Sequence, residues 1–151
     1  MDGNMKNTLE KISTLFDSQR LAVLSTQINA QPYASLVAFA SSDNLEQIFF
    51  LTPDTTRKYN NLITNAKVAI LVNNSLNKVD DIYNAVSVTG TGTAFVVEKA
   101  NKQESLNLYL KKHPHMKTFS AAPTTALICV TINRYFMVDQ FQNVVEIQVS
   151  S

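Results

Sequence analysis

Tryptophan is absent from this chain, cysteine occurs once, and glycine only three times in 151 residues. A single cysteine excludes a disulfide framework. Cys129 lies in the apolar run ALICVTI, where a buried, inert thiol is expected rather than a nucleophile. So few glycines also exclude a dinucleotide fingerprint: Gly90 and Gly92, in VTGTGTA, have no third partner and fall inside a strand-like run. Two residues apart, they share one sheet face, where they bend a strand at a barrel corner or admit a second backbone or a flat ligand. Excess charge is lacking as well. A net charge of +1 with 17% charged residues gives no field that would draw in nucleic acid or an anionic membrane, so any anion site has to be local. No apolar run approaches the roughly 18 residues of a membrane span. The segment MDGNMKNTLEKI has neither the basic region nor the apolar core of a signal peptide, so a soluble, cytoplasmic protein is expected.

Catalytic groups are equally sparse. His113 and His115 flank Pro114 at a predicted helix end with no other His or Cys close in sequence, which reads as a surface helix end and not as a metal site. Haem ligation by one of them is the minor alternative. Asp80 and Asp81 are neighbours in a polar loop, where solvation is the expected state. No Ser, His and acid pattern with a nucleophile elbow is present, so no catalytic residue is assigned.

What is present is a succession of short apolar runs. Residues 7–18 place Leu9, Ile12, Leu15 and Phe16 on one helical face, with Asn7 as cap and Glu10 completing a capping box. LAVLST, the turn TQINAQ and PYASLVAFAS read as a hairpin; a second turn, SSDN, leads to EQIFFLT. A helix over residues 56–65 precedes the strand KVAILVN. The polar loop 74–84 precedes AVSVTGTGTAFVVE, long enough for a strongly bent strand. A helix over 101–112 is interrupted at His113-Pro114, with a short turn continuing to Phe119, and TALICVTINRYFMVD and VVEIQV supply two more strands. Six or seven strands with two hairpins and three helices fit a single domain over residues 1–151, mainly β with peripheral helices: an antiparallel closed or split barrel, not a doubly wound sheet.

The stretch LTPDTTRKYNNL, residues 51–62, is electrostatically reversed: Arg57 and Lys58 sit in the first turn of a predicted helix, where cations cost about 0.3 to 1 kcal/mol each. Two accounts fit. In one, Asp54 or Thr55 caps the helix and the cations point into water. In the other, the hydroxyls of Thr52, Thr55 and Thr56, the free helix N–H groups and the two cations converge on a phosphate, which turns the local cost into binding.

The order of these motifs over residues 8–98 resembles the FMN-binding split β-barrel proteins related to pyridoxamine 5'-phosphate oxidase. The elements that carry the resemblance are LAVLST, PYASLVAF, IFFLTPDTTRKYNNLITNAKVAILV and VSVTGTGTAFV. Within them the strand Phe49 to Thr52, the triplet Thr56-Arg57-Lys58 and the turn Asn65-Ala66-Lys67 follow the family order. The resemblance implies that Thr56, Arg57 and Lys58 hold an FMN phosphate. It lays Ala34, Ser35, Leu36 and Val37 along the isoalloxazine edge through main-chain groups, with Thr52 beneath the ribityl chain and Asn74 as a weaker polar contact. It implies a homodimer with FMN at the subunit interface, where Tyr135, Phe136 or Phe141 covers the flavin or else fills the barrel core.

Departures narrow the function. Ser35 and Ala40 stand where the oxidase has Arg and Lys on its second strand, and Ala85 stands where it has a flavin-contacting Gln. The ending FQNVVEIQVSS has no counterpart of the Arg-rich carboxyl terminus that grips the pyridoxyl substrate. The resemblance therefore implies an FMN-dependent oxidoreductase of unassigned substrate and not a vitamin B6 oxidase. Alternatives are a non-catalytic FMN carrier or stress-related flavin binder, a deazaflavin in the same cleft, and a haem-binding or haem-degrading split barrel using His113 or His115.

Overall fold

The computed structural model describes residues 3–150. Its elements are α1 (Gly3–Ser18), β1 (Leu21–Ile28), β2 (Gln31–Ser41), β3 (Gln47–Pro53), α2 (Arg57–Thr64), β4 (Lys67–Asn73), α3 (Asp81–Asn84), β5 (Ser87–Val96), α4 (Lys99–Lys112), a 3-10 turn (Pro114–Met116), α5 (Lys117–Ala121), β6 (Thr125–Asp139) and β7 (Asn143–Gln148). The strands form one antiparallel sheet in the order β3-β2-β1-β4-β5-β6-β7, and β3 also pairs with β6. Six strands thus close a barrel, and β7 extends it from β6.

Period-two alternation builds this barrel. Val68, Ile70 and Val72 of β4 and Val88 and Ala94 of β5 are buried in the same core as Leu24, Phe39 and Phe50. Phe16 of α1 plugs one end, edge-on to Phe39 at 5.5 Å and to Tyr135 at 5.7 Å between ring centroids. A second cluster lies outside the barrel, where Tyr109, Val97, Phe49, Leu51 and Cys129 pack with Phe119 and Met116 under α4 and α5. Burial there pushes the Cys129 thiol up to about 11, as expected of an inert cysteine.

Gly90 and Gly92 serve close approach. A Cβ on Gly92 would collide with the Thr131 carbonyl oxygen, and one on Gly90 would come within 2.8 Å of Tyr135 Cε1. The β5–β6 register shifts between Thr91 and Gly92, so this tight contact coincides with an irregularity in the ladder.

Several local expectations are corrected. Helix α1 starts at Gly3, so Asn7 lies inside it and no capping box forms there; Met5, one turn before Leu9, extends the apolar stripe. The first hairpin turn is only Asn29 and Ala30, with φ of 50° and 64°, so Thr26 and Gln27 belong to β1 and Gln31 to β2. Helices number more than three, because residues 81–84 form one turn and the segment after Pro114 forms another two. Asp81 is not simply solvated: its carboxylate accepts the N–H groups of Lys78 and Leu76, which hold its pKa below the ordinary carboxylate value. His113 is not at the surface. It is 1% exposed, with Nε2 2.7 Å from the Phe39 carbonyl oxygen.

Candidate functional site

The barrel is open between β2 and β3. These strands pair only over Phe39 to Ser41, while β2 pairs with β1 along Gln31 to Ala38. The Phe39 N–H points to Arg20 on the β1 side and the Ser42 N–H to Gln47 on the β3 side. By alternation, the main-chain groups of Ala34 and Leu36 face the open side, with no strand partner among the described residues. Ala38 is the exception along this edge: its carbonyl accepts the Tyr109 hydroxyl at 3.1 Å.

Helix α2 flanks this opening. Its cap is Thr56, not Asp54 or Thr55: the Thr56 hydroxyl accepts the Tyr59 N–H at 3.2 Å and lies 2.7 Å from the Thr52 hydroxyl. The N–H groups of Arg57 and Lys58 occupy the first helical positions and have no acceptor among the described residues. No acid stands in this first turn. The ion pair found among the described residues joins Arg134 to Glu146, so neither Arg57 nor Lys58 is neutralised by a carboxylate. Arg57 instead lies over the Tyr33 ring of β2, 5.7 Å from its centroid, which joins the triplet to the open strand.

Beneath α2 the barrel end is polar. Thr26 and Thr52 are buried on inward faces, and Asn61 of α2 donates from Nδ2 to the Thr26 hydroxyl at 3.0 Å. Ser35 shares its face of β2 with buried Val37 and Phe39. Its Oγ is buried and has no hydrogen-bond partner among the described residues. Unpartnered main-chain groups on β2, two cations without a carboxylate partner and open N–H groups at the amino end of α2 are the kinds of group that hold a flat heterocycle carrying a phosphate.

The sequence-derived residues divide accordingly. Arg57 meets β2 through Tyr33, Thr56 joins Thr52, and the segment Ala34 to Val37 lies on the open strand. Asn74 is occupied elsewhere: its Oδ1 accepts the Val86 N–H at 2.7 Å, and it lines a groove of about 760 Å³ with Glu10, Tyr83 and Asp139 that does not include the triplet. Tyr135 fills the core, fully buried with its hydroxyl on the Leu45 carbonyl at 2.7 Å, so it cannot cover a ligand. Phe141 is half exposed and packs on Tyr83, 5.1 Å between centroids. Tyr33, Asn61 and the Ser35 side chain were not legible as site residues, since each acquires its role from a strand or helix distant in sequence.

The sequence model of the pyridoxamine 5'-phosphate oxidase family matches residues 8–139. No curated protein matches. Among solved structures, the fold superposes on a haem-binding protein from Mycobacterium smegmatis with a TM-score of 0.83 at 16% identity, covering 93% of this chain and 57% of the other. It therefore spans little more than half the length of that relative. General stress protein 26 from Bacillus anthracis gives a TM-score of 0.70 at 19% identity, with 94% and 98% covered. A FAD-binding protein from Mesorhizobium loti gives 0.68 at 15% identity, with 85% and 90% covered. At these identities the neighbours establish the fold.

Proposed function

Because the chain belongs to the pyridoxamine 5'-phosphate oxidase family, we propose that it is an FMN-binding flavoprotein, an oxidoreductase whose cofactor phosphate is held by Thr56, Arg57 and Lys58. The observation that carries this reading is the pair of cations at the α2 amino end, unneutralised by any described carboxylate, of which Arg57 lies over Tyr33 of β2. Flavin binding is general in this family. A compact phosphate dianion suits one helix end and two cations, which favours FMN.

When bound, the isoalloxazine supplies the redox chemistry. The chain binds and orients it: Ala34 and Leu36 offer main-chain donors and acceptors, Thr52 lies at the cleft floor, and α2 fixes the phosphate end. Neither Ser35 nor Ala40 supplies the cationic contacts that the true oxidase has on its second strand, which argues against a pyridoxyl phosphate substrate. A non-catalytic carrier shares the same binding residues and differs in failing to turn over with added reductants and acceptors.

The homodimer belongs to this proposal. Register aligns Leu36, Val23, Leu71, Thr89 and Phe136 in one outward row, and Ala34, Ser25, Ala69 and Thr91 in the next. The first row meets a charge only at Glu146 and the second only at Arg134, and Leu36 is 64% exposed. A second copy on this face would lie beside the open edge of β2.

The test is a visible titration with FMN of the wild type and the Arg57→Ala, Lys58→Ala variant. Bands at roughly 370 and 450 nm should be perturbed on binding, and loss of two charge-assisted contacts should weaken affinity by about 100-fold or more. Equal affinity of the two proteins would refute the phosphate assignment.

A haem-binding function is the second reading, favoured by the likeness to the Mycobacterium smegmatis protein. Burial of His113 and its bond to Phe39 leave exposed His115 as the available ligand. A Soret band on haem titration, lost in His115→Ala, would support it.

A further inference from the structure

The ends of β4 and β6, the start of β5 and one side of α1 border a groove of about 760 Å³ that the flavin reading does not use. Helix α2 leads into one end of β4 and Asn74 follows the other, so the groove and the Thr56-Arg57-Lys58 triplet stand at opposite ends of a seven-residue strand. Barrel mouths are common sites for small ligands, and this volume falls within the roughly 300 to 1,000 Å³ of such sites. The floor is apolar, with Leu15 and Met137 buried and Val86 half-buried. Asn7, Glu10 and Thr14 follow one another at helical spacing, so a polar stripe of α1 faces the groove.

Two features of the groove are not explained by the fold. Asp139 is 8% exposed, and among the described residues its carboxylate receives one side-chain hydrogen bond, from Asn143 Nδ2 to Oδ1 at 2.7 Å. That bond needs an acceptor but not a charge. No cation among the described residues pairs with Asp139, and a carboxylate held out of water without a countercharge is costly. Lys11 also lines the groove, from the exposed surface of α1, so Glu10 and Asp139 leave the lining with an excess of negative charge. The second feature is the aromatic wall. Tyr83 lines the groove while 60% exposed, and Phe141 backs it with ring centroids 5.1 Å apart. Phe141 sits in the turn Gln140 to Gln142, whose φ angles are 45°, 56° and 67°. Three successive non-glycine residues in the left-handed region are strained, and the strained turn supports an aromatic face that the core does not need.

We propose that this groove binds a small organic cation, an amine whose charge meets Asp139 and whose planar or apolar body lies between Tyr83 and the floor of Leu15 and Met137. Such a ligand supplies the countercharge that Asp139 lacks, a cation–π or stacking contact for Tyr83 and apolar cover for the floor. An anion would meet Glu10 and Asp139 with Lys11 alone in its favour, so the site selects by sign of charge. No residue of the triplet or of β2 lines the groove, so its occupation stands or falls independently of flavin binding.

The absence of tryptophan makes the test direct, because indole fluorescence reports a bound probe without background from the chain. The anisotropy of tryptamine should rise on titration with the wild type at up to millimolar concentration. Indole-3-propionate, with a carboxylate in place of the ammonium, should bind at least about tenfold more weakly. Asp139→Asn keeps an acceptor for Asn143 and removes the charge, so tryptamine affinity should fall by about ten- to a hundredfold. Tyr83→Ala, at an exposed position, should lower it by about three- to tenfold, and the Arg57→Ala, Lys58→Ala variant should bind tryptamine as the wild type does. No rise in anisotropy at millimolar tryptamine, equal binding of the two indoles, or unchanged affinity in Asp139→Asn or Tyr83→Ala overturns the inference. So does loss of binding in the Arg57→Ala, Lys58→Ala variant, which would place the probe at the triplet. If Asp139→Asn does not fold, Tyr83→Ala and the pair of probes decide alone.

Discussion

Gly92 shows how a single residue can be fixed by backbone contact. Because its missing Cβ leaves room for the Thr131 carbonyl, Gly92→Ala forces β5 and β6 apart, and Gly90→Ala must displace a Tyr135 ring tethered through its hydroxyl to Leu45. Urea melts should show both variants destabilised by about 1 to 3 kcal/mol, Gly92→Ala the more, since backbone yields less readily than a ring. The sequence suggested either bending or close approach for this pair; the structure shows close approach, at a register shift between Thr91 and Gly92. Thr56 is the complementary case. Four candidate hydroxyl and carboxyl groups precede α2, and only the extended backbone at Thr56, φ −77° and ψ 157°, made it the cap.

At the scale of elements, the last turn of α4 acts on the strand beside the cleft. Tyr109 donates to the Ala38 carbonyl, His113 donates from Nε2 to the Phe39 carbonyl, and Lys112 holds the Phe16 carbonyl at 2.9 Å with its ammonium 3.9 Å from the Phe39 ring centroid. Burial pulls the Lys112 amine down from 10.5 to about 8 and pushes the Tyr109 hydroxyl up from 10.0 to about 12. The unfolded chain therefore binds the Lys112 proton more tightly, so stability should rise with pH from about 8 to 10. Above 10.0 it should fall, because Tyr109 ionises only on unfolding. Chemical denaturation across this range should show the maximum, and Lys112→Met should remove the rising limb. This arrangement was hidden in the sequence because residues 109–113 meet residues 16, 38 and 39 only after the barrel closes.

At the scale of the whole molecule, the outward rows from Leu36 to Phe136 and from Ala34 to Thr91 carry no charge until Glu146 and Arg134, and what covers them is the test of the assembly. Sedimentation at micromolar concentration should give a dimer, and Leu71→Glu, in the middle of the outward row and away from the proposed phosphate contacts, should shift it to monomer. FMN affinity should weaken in parallel if the second copy completes the cleft. A monomeric wild type would remove the homodimer from the proposal.

Strand identity, order of elements and barrel class follow from local pattern, because alternation in KVAILVN and the apolar faces of the helices are properties of consecutive residues. The reversed charge at Arg57 and Lys58 was visible for the same reason. Which hydroxyl caps α2, which histidine is buried, and which serine is left without a partner depend on contacts between residues far apart in the chain. Those contacts exist only once β3 has left β2 to pair with β6, since that step both closes the barrel and opens the edge on which the proposed site stands.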